Sequence, residues 1–172
     1  MIEYGDFLTD KLREILKANL PNDIIVSWYD GDPIEIPQSA LPAIAIETDD
    51  SIFDSAATGM NDNTENVIIK IITNKKDDFG KPADQIVGHR TLKSLTIGRD
   101  LTNSKKLHPK SIVGILLKNF TLSNNIYNNK VTVKFGVVPR PEAGGGGDKY
   151  VLTAEAHVFC ALSDLIQVDN RT

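Results

Sequence analysis

The sequence predicts an α+β domain, a mainly antiparallel sheet with helices packed on one face and a C-terminal β-hairpin closing it. Three observations carry that expectation. An amphipathic helix opens the chain, short apolar runs follow it, and the last third alternates between apolar and polar residues over two long stretches.

The helix is read from Tyr4, Phe7, Leu8, Leu12, Ile15, Leu16 and Leu20, which recur at helical spacing and leave Lys11, Arg13, Glu14 and Lys17 off the stripe. Pro21 ends it, because proline disfavours helical geometry in the residue before it. Ile24 to Tyr29 is β-rich and stops at Asp30-Gly31-Asp32-Pro33. Leu41 to Glu47 reads as a second strand, with Pro42 at its start, where a missing N–H does least harm. Val67 to Thr73 is a third, apolar enough to be covered on both faces.

Residues 47–66 contain Glu47, Asp49, Asp50, Asp54, Asp62 and Glu65 and no basic side chain. Their irregularity predicts a long polar connection, and such connections are usually functional or disordered. Pro82 to Gly98 is weakly helical. Pro109 to Phe120 is a clearer helix, with Pro109 suited to a first turn and Ile112, Ile115, Leu116 and Phe120 in a stripe. Val131, Val133, Phe135 and Val137 share one strand face. In the closing strand Tyr150, Leu152, Ala154, Ala156, Val158, Cys160 and Leu162 share another, opposite Thr153, Glu155 and His157. The linking loop, 139–149, is stiffened by Pro139 and Pro141 and loosened by Gly144, Gly145, Gly146 and Gly147.

At 172 residues the chain has the size of one domain, 1–172, and folding is expected to bury roughly 70% of the unfolded surface. One cysteine, Cys160, allows no internal disulfide and no cysteine-pair zinc site. The acidic start lacks the basic n-region of a secretory signal, and no apolar run approaches the ~20 residues of a membrane span, so the expectation is a cytosolic protein. Charge is divided unevenly. Residues 1–69 carry 3 basic and 14 acidic side chains, residues 70–118 carry 11 and 4, and the remainder 5 of each. Opposed blocks of this kind are either mixed solvated faces or complementary association surfaces.

No pattern of catalytic, cofactor-binding or metal-ligating residues stands out. His89 and His108 lie among basic residues, and His157 alternates onto a polar strand face beside Glu155. Cys160 alternates onto the apolar face, where it reads as a small core residue. The glycine run leads into Asp148-Lys149 and a strand, so it lacks the Lys and Ser or Thr and the helix of a phosphate loop. Asp30-Gly31-Asp32 and Asp49-Asp50 do not follow the calcium-loop spacing. The basic middle block has one aromatic, Phe79, before Phe120, which gives no stacking platform for nucleic acid.

The opening helix, Trp28-Tyr29 and the strand Leu41-Pro42-Ala43-Ile44-Ala45-Ile46 together resemble the start of tail-terminator and related neck proteins of tailed bacteriophages. The later helix and closing hairpin fall where that plan has them, so the resemblance spans most of the chain as an order of elements. It implies a non-enzymatic virion protein, without cofactor, assembled in the host cytoplasm as a hexameric ring. Such a ring caps the tail tube and joins it to the head connector, and DNA passes through its channel without specific binding. Other tail, baseplate or head-completion roles, or a small non-viral binding domain, are the alternatives. The residues expected at assembly interfaces are Asp49, Asp50, Asp54, Lys75, Lys76, Lys105, Lys106 and Gly144 to Gly147, with the lysines meeting acidic neighbours and the 47–66 loop also facing the channel.

Overall fold

A computed structural model of the chain describes residues 4–21, 24–57, 60–74, 90–99, 106–123, 126–141 and 148–165. Helix α1 spans Tyr4–Asn19, with strand β1 at Ser27–Asp30, β2 at Ala43–Ala57 and β3 at Met60–Asn74. Helices α2, Arg90–Ile97, and α3, Ile112–Lys118, follow; β4 at Thr121–Ser123, β5 at Ile126–Pro141 and β6 at Asp148–Leu165 complete the fold. The six strands form one sheet in the order β1-β2-β3-β6-β5-β4. Only β1 and β2 run parallel; the other four pairings are antiparallel. The architecture is α+β.

The core follows from two periodicities. Leu8, Leu12, Leu16 and Leu20 recur every fourth residue along the α1 side of the chain and are buried. They share a cluster with Leu92 of α2, with Ile112, Ile115 and Leu116 of α3, and with alternate residues of three strands. Those are Ile44 and Ile46, then Val67, Ile69 and Ile71, then Leu152, Ala154, Ala156, Val158 and Cys160. The intervening strand residues supply a second, smaller cluster. There Ala43, Ile72 and Val151 pack with Ile36 and Leu41 from the β1–β2 connection. That connection holds a one-turn 3-10 helix at Gln38–Ala40, followed by a cis Leu41–Pro42 bond. The apolar run of β3 is therefore fully buried on its helix side at Val67, Ile69 and Ile71, while on the other face Ile72 is buried and Ile68 half-buried.

Helix α1 is anchored to β1 by polar contacts as well. Arg13 pairs with Asp30, and the Lys17 ammonium stands 5.2 Å from the centre of the Trp28 ring. Of the expected α1 stripe, Phe7 is exposed, and the Tyr4 side chain lies outside the described residues.

Several expectations are corrected. Residues 47–66 are not an irregular connection: β2 continues to Ala57 and β3 begins at Met60, paired from Asp50↔Asn66 to Ala57↔Met60. β3 pairs in turn with β6 as far as Met60↔Leu165, so a polar arm projects beyond the apolar core. A strand needs only its backbone partners and cross-strand side-chain pairs, and this segment has both. The Ser51 hydroxyl donates to Glu65, Asn63 Nδ2 donates to Glu65 Oε1 at 2.9 Å, and Asn66 Nδ2 donates to Asp49 at 2.9 Å.

Helix α3 begins at Ile112 rather than Pro109, because the Ser111 hydroxyl accepts the Gly114 N–H at 3.2 Å and caps it there. A Cβ at Gly114 would strike the His108 carbonyl oxygen, so glycine lets the helix close onto the turn before it. Helix α2 begins at Arg90, and 82–89 lie outside the described residues. β5 reaches Pro141 and β6 starts at Asp148, leaving only 142–147 of the expected 139–149 loop between them. Tyr150, expected on the apolar face, is 60% exposed, opposite Pro139 near the start of β6. Leu162 pairs with Asn63 and Ile126, but its side chain lies outside the described residues.

Candidate functional site: a charged tether and two open sheet edges

Polar side chains converge most closely where the β1–β2 connection lies against the sheet. Strand alternation points Lys70 of β3 away from α1, and the register places Ala45 and Glu155 on either side of it. Lys70 Nζ donates to Asp32 Oδ2 at 2.7 Å and lies 3.5 Å from Glu155 and 3.7 Å from Glu47. Arg140 of β5 grips the same segment: its guanidinium meets Asp32 Oδ1 at 2.5 Å and donates to the Pro33 carbonyl. Glu47 accepts the Asp32 N–H at 3.0 Å. Gly31, at φ +76, supplies the left-handed turn that brings Asp32 inward.

These charges are largely withdrawn from water, with side-chain exposures of 9% for Arg140, 14% for Lys70 and 26% for Asp32. Burial opposes the Lys70 charge. The hydrogen bond and charge of Asp32, with Glu155 and Glu47, outweigh it and hold the ammonium above its ordinary value. His157 Nε2 stands 3.8 Å from Glu155 Oε2 at the rim. The cluster fastens the 31–41 segment over the second face of the sheet. Each acid in it meets a cation or a backbone donor, so the arrangement is a tether.

A second polar site continues the helix-side face into the arm. Glu65 is 2% exposed and sits opposite Cys160, with Ser51 and Asn63 hydrogen-bonded to it. Burial, with the Glu65 charge beside it, pushes the Cys160 thiol up to about 12. A thiol so far from ionisation is no nucleophile at neutral pH.

A cleft of about 690 Å³ opens between the end of α1, α2 and the turn before α3, where Pro21, Pro42, Leu95, Arg99 and His108 line it. His108 Nδ1 accepts the Lys110 N–H at 3.2 Å, which commits that nitrogen to the turn. Among the described residues no three His, Cys, Asp or Glu side chains are grouped to hold a metal ion, and no helix is long and apolar enough to cross a membrane.

The expected interface residues are only partly placed. Asp49 and Asp50 are exposed on β2, and Asp54 lies further along the same strand, opposite Asp62. Lys106 is exposed next to Leu107, which bridges to Arg99. Lys75, Lys76, Lys105 and Gly144 to Gly147 lie outside the described residues.

What sequence reasoning missed is the tether and the sheet's open edges. β1 pairs β2 only at Ala43–Ile46, so beyond Glu47 the outer edge of β2 has no strand beside it among the described residues. β4 reaches only Ile126 and Tyr127 of β5, and the Asn128 N–H bonds the Phe120 carbonyl, so from Lys130 to Pro141 the outer edge of β5 has no strand beside it among the described residues. Large apolar side chains stand exposed along both edges, Ile52 and Phe53 on β2, Val137 and Val138 on β5. Compared with known proteins, the chain matches no family model and no curated protein.

Proposed function

We propose that this chain is a structural subunit of a tailed bacteriophage, a tail-terminator or neck protein. Its copies form a hexameric ring that caps the tail tube and joins it to the head connector. In this reading the helices form one layer over a mainly antiparallel sheet closed by the C-terminal hairpin, and DNA traverses the ring without being bound specifically. The protein resides in the virion and is assembled in the host cytoplasm.

The observation that carries the proposal is the order of elements. A helix, a strand at the Leu41-Pro42-Ala43-Ile44 motif, a further strand, a later helix and a closing strand pair come in the order the resemblance implies, although the polar loop it implies between the two strands is here a paired hairpin and two helices stand where it implies one. Two further features support an assembly role. The buried charges are committed to one another in a tether, and two long strand edges with exposed apolar side chains have no strand beside them among the described residues.

The test is immunogold labelling of tailed particles with antibodies raised against the purified chain. Label at the head-proximal end of the tail is the expected result. Purified particles that carry none of the chain refute the proposal.

A further inference from the structure

The ends of the sheet differ in charge as well as in position. β2 contains Glu47, Asp49, Asp50 and Asp54 and no basic residue, whereas β5 contains Lys130, Lys134 and Arg140 and no acidic one. Arg140 and Glu47 belong to the tether, but Asp49, Asp50, Lys130 and Lys134 are exposed. Each charged stretch lies on the part of its strand whose outer edge has no strand beside it among the described residues.

We infer that these two edges are the two halves of one contact, in which the β2 edge of one copy pairs with the β5 edge of a second copy. The inference deepens the assembly reading and rests on its claim that the chain self-associates; it names the surfaces. Successive pairings make β2 and β5 run in opposite directions. Copies related by rotation about a ring axis therefore bring these edges together antiparallel, the more stable ladder.

Unpaired strand edges expose rows of N–H and C=O groups that template another strand, and both edges are long here. β2 runs without a register shift from Asp50 to Ser55, and β5 from Lys130 to Pro141. Pro139 and Pro141 lack an N–H and are tolerated where only an edge strand tolerates them, which limits new pairing to 130–138. Exposed Ile52 and Phe53 on one edge and Val137 and Val138 on the other supply apolar area for the contact.

Charge selects the geometry. Pairing β2 with β2 would set acids against acids and β5 with β5 lysines against lysines, both unfavourable across strands. The unlike pairing is heterologous, the kind that closes rings. The register also fixes a stagger. Asp50 is level, across β3 and β6, with Lys130, so the open part of β2 lies toward the arm tip and that of β5 toward the opposite end. Joining them offsets each copy from the next, and strands in the closed ring tilt against its axis, as in any closed sheet.

The test uses two full-length variants, Asp49→Lys/Asp50→Lys and Lys130→Glu/Lys134→Glu, with size-exclusion chromatography and light scattering, after thermal melts show both fold like the parent. Each variant alone is expected to lose the assembled species. Their equimolar mixture is expected to recover it, because every edge again meets its opposite; unfolded chains could not do this. Variants that assemble like the parent, or a mixture that stays dissociated, overturn the edge pairing while leaving a ring held by other surfaces. A parent that stays monomeric at every concentration overturns both the pairing and the self-assembly beneath it.

Discussion

Replacing Asp32 by alanine tests whether the tether holds the β1–β2 connection onto the sheet. The substitution removes the acceptor for Lys70 at 2.7 Å and for Arg140 at 2.5 Å. The two cations are affected unequally. Lys70 keeps Glu155 at 3.5 Å and Glu47 at 3.7 Å, whereas Arg140 retains the Pro33 carbonyl, which the freed segment can carry away. Removing one partner of a buried ion pair costs about 3–5 kcal/mol. Asp32 is 26% exposed, so water recovers part of that, and the expected loss is about 3 kcal/mol. For a chain of this length that corresponds to a fall in Tm of roughly 6–12 °C. Asp32→Asn, which keeps an acceptor without the charge, should lose roughly half as much. Urea denaturation gives the free energies, and a cycle with Arg140→Ala should show a coupling of about 1–2 kcal/mol. An Asp32→Ala protein within about 0.5 kcal/mol of the parent, or strictly additive effects in the cycle, refutes the tether.

Three further outcomes follow from the same geometry. The raised Lys70 pKa contributes stability that is fully present below the unfolded lysine value of about 10.4 and is lost as pH rises through the higher folded value. Urea midpoints measured upward from pH 9 should therefore fall, and Lys70→Met should remove part of that slope; equal slopes in both proteins contradict the assignment. Cys160, held up to about 12 against an ordinary 9.0, should resist thiol reagents in the native state and react on unfolding, and Cys160→Ala should flatten the loss of stability between those values. Rapid native labelling at pH 8 contradicts its burial. Val158→Asp, at a position with no exposure in the main core, should cost more than about 4 kcal/mol and abolish cooperative melting; a melt close to the parent's would show the β6 register to be wrong.

The elements that sequence reasoning placed best are those whose burial is written as a period. Leu8, Leu12, Leu16 and Leu20 mark α1 by spacing alone, and Leu152 to Cys160 mark the inward face of β6. The arm was illegible because its inward face is polar. Asn63 and Glu65 are buried, with Glu65 accepting from Ser51 across strands and from Asn63 along its own, and composition reads such a segment as solvated. Asp32 looks like turn chemistry in the sequence, and the partner that gives it a further role, Arg140, is 108 residues away. The open edges were equally hidden, since an edge is defined by which strands fail to pair, and that depends on the order β1-β2-β3-β6-β5-β4.

The central claim is that copies of this chain close into a ring. Negative-stain electron microscopy of the purified full-length protein, with class averages tested for rotational symmetry, addresses it most directly. Rings of six subunits around an open channel are expected, dissolving as salt screens the contact between acidic and basic edges. A uniform population of single subunits under all conditions, or compact two-fold dimers without a channel, would contradict it.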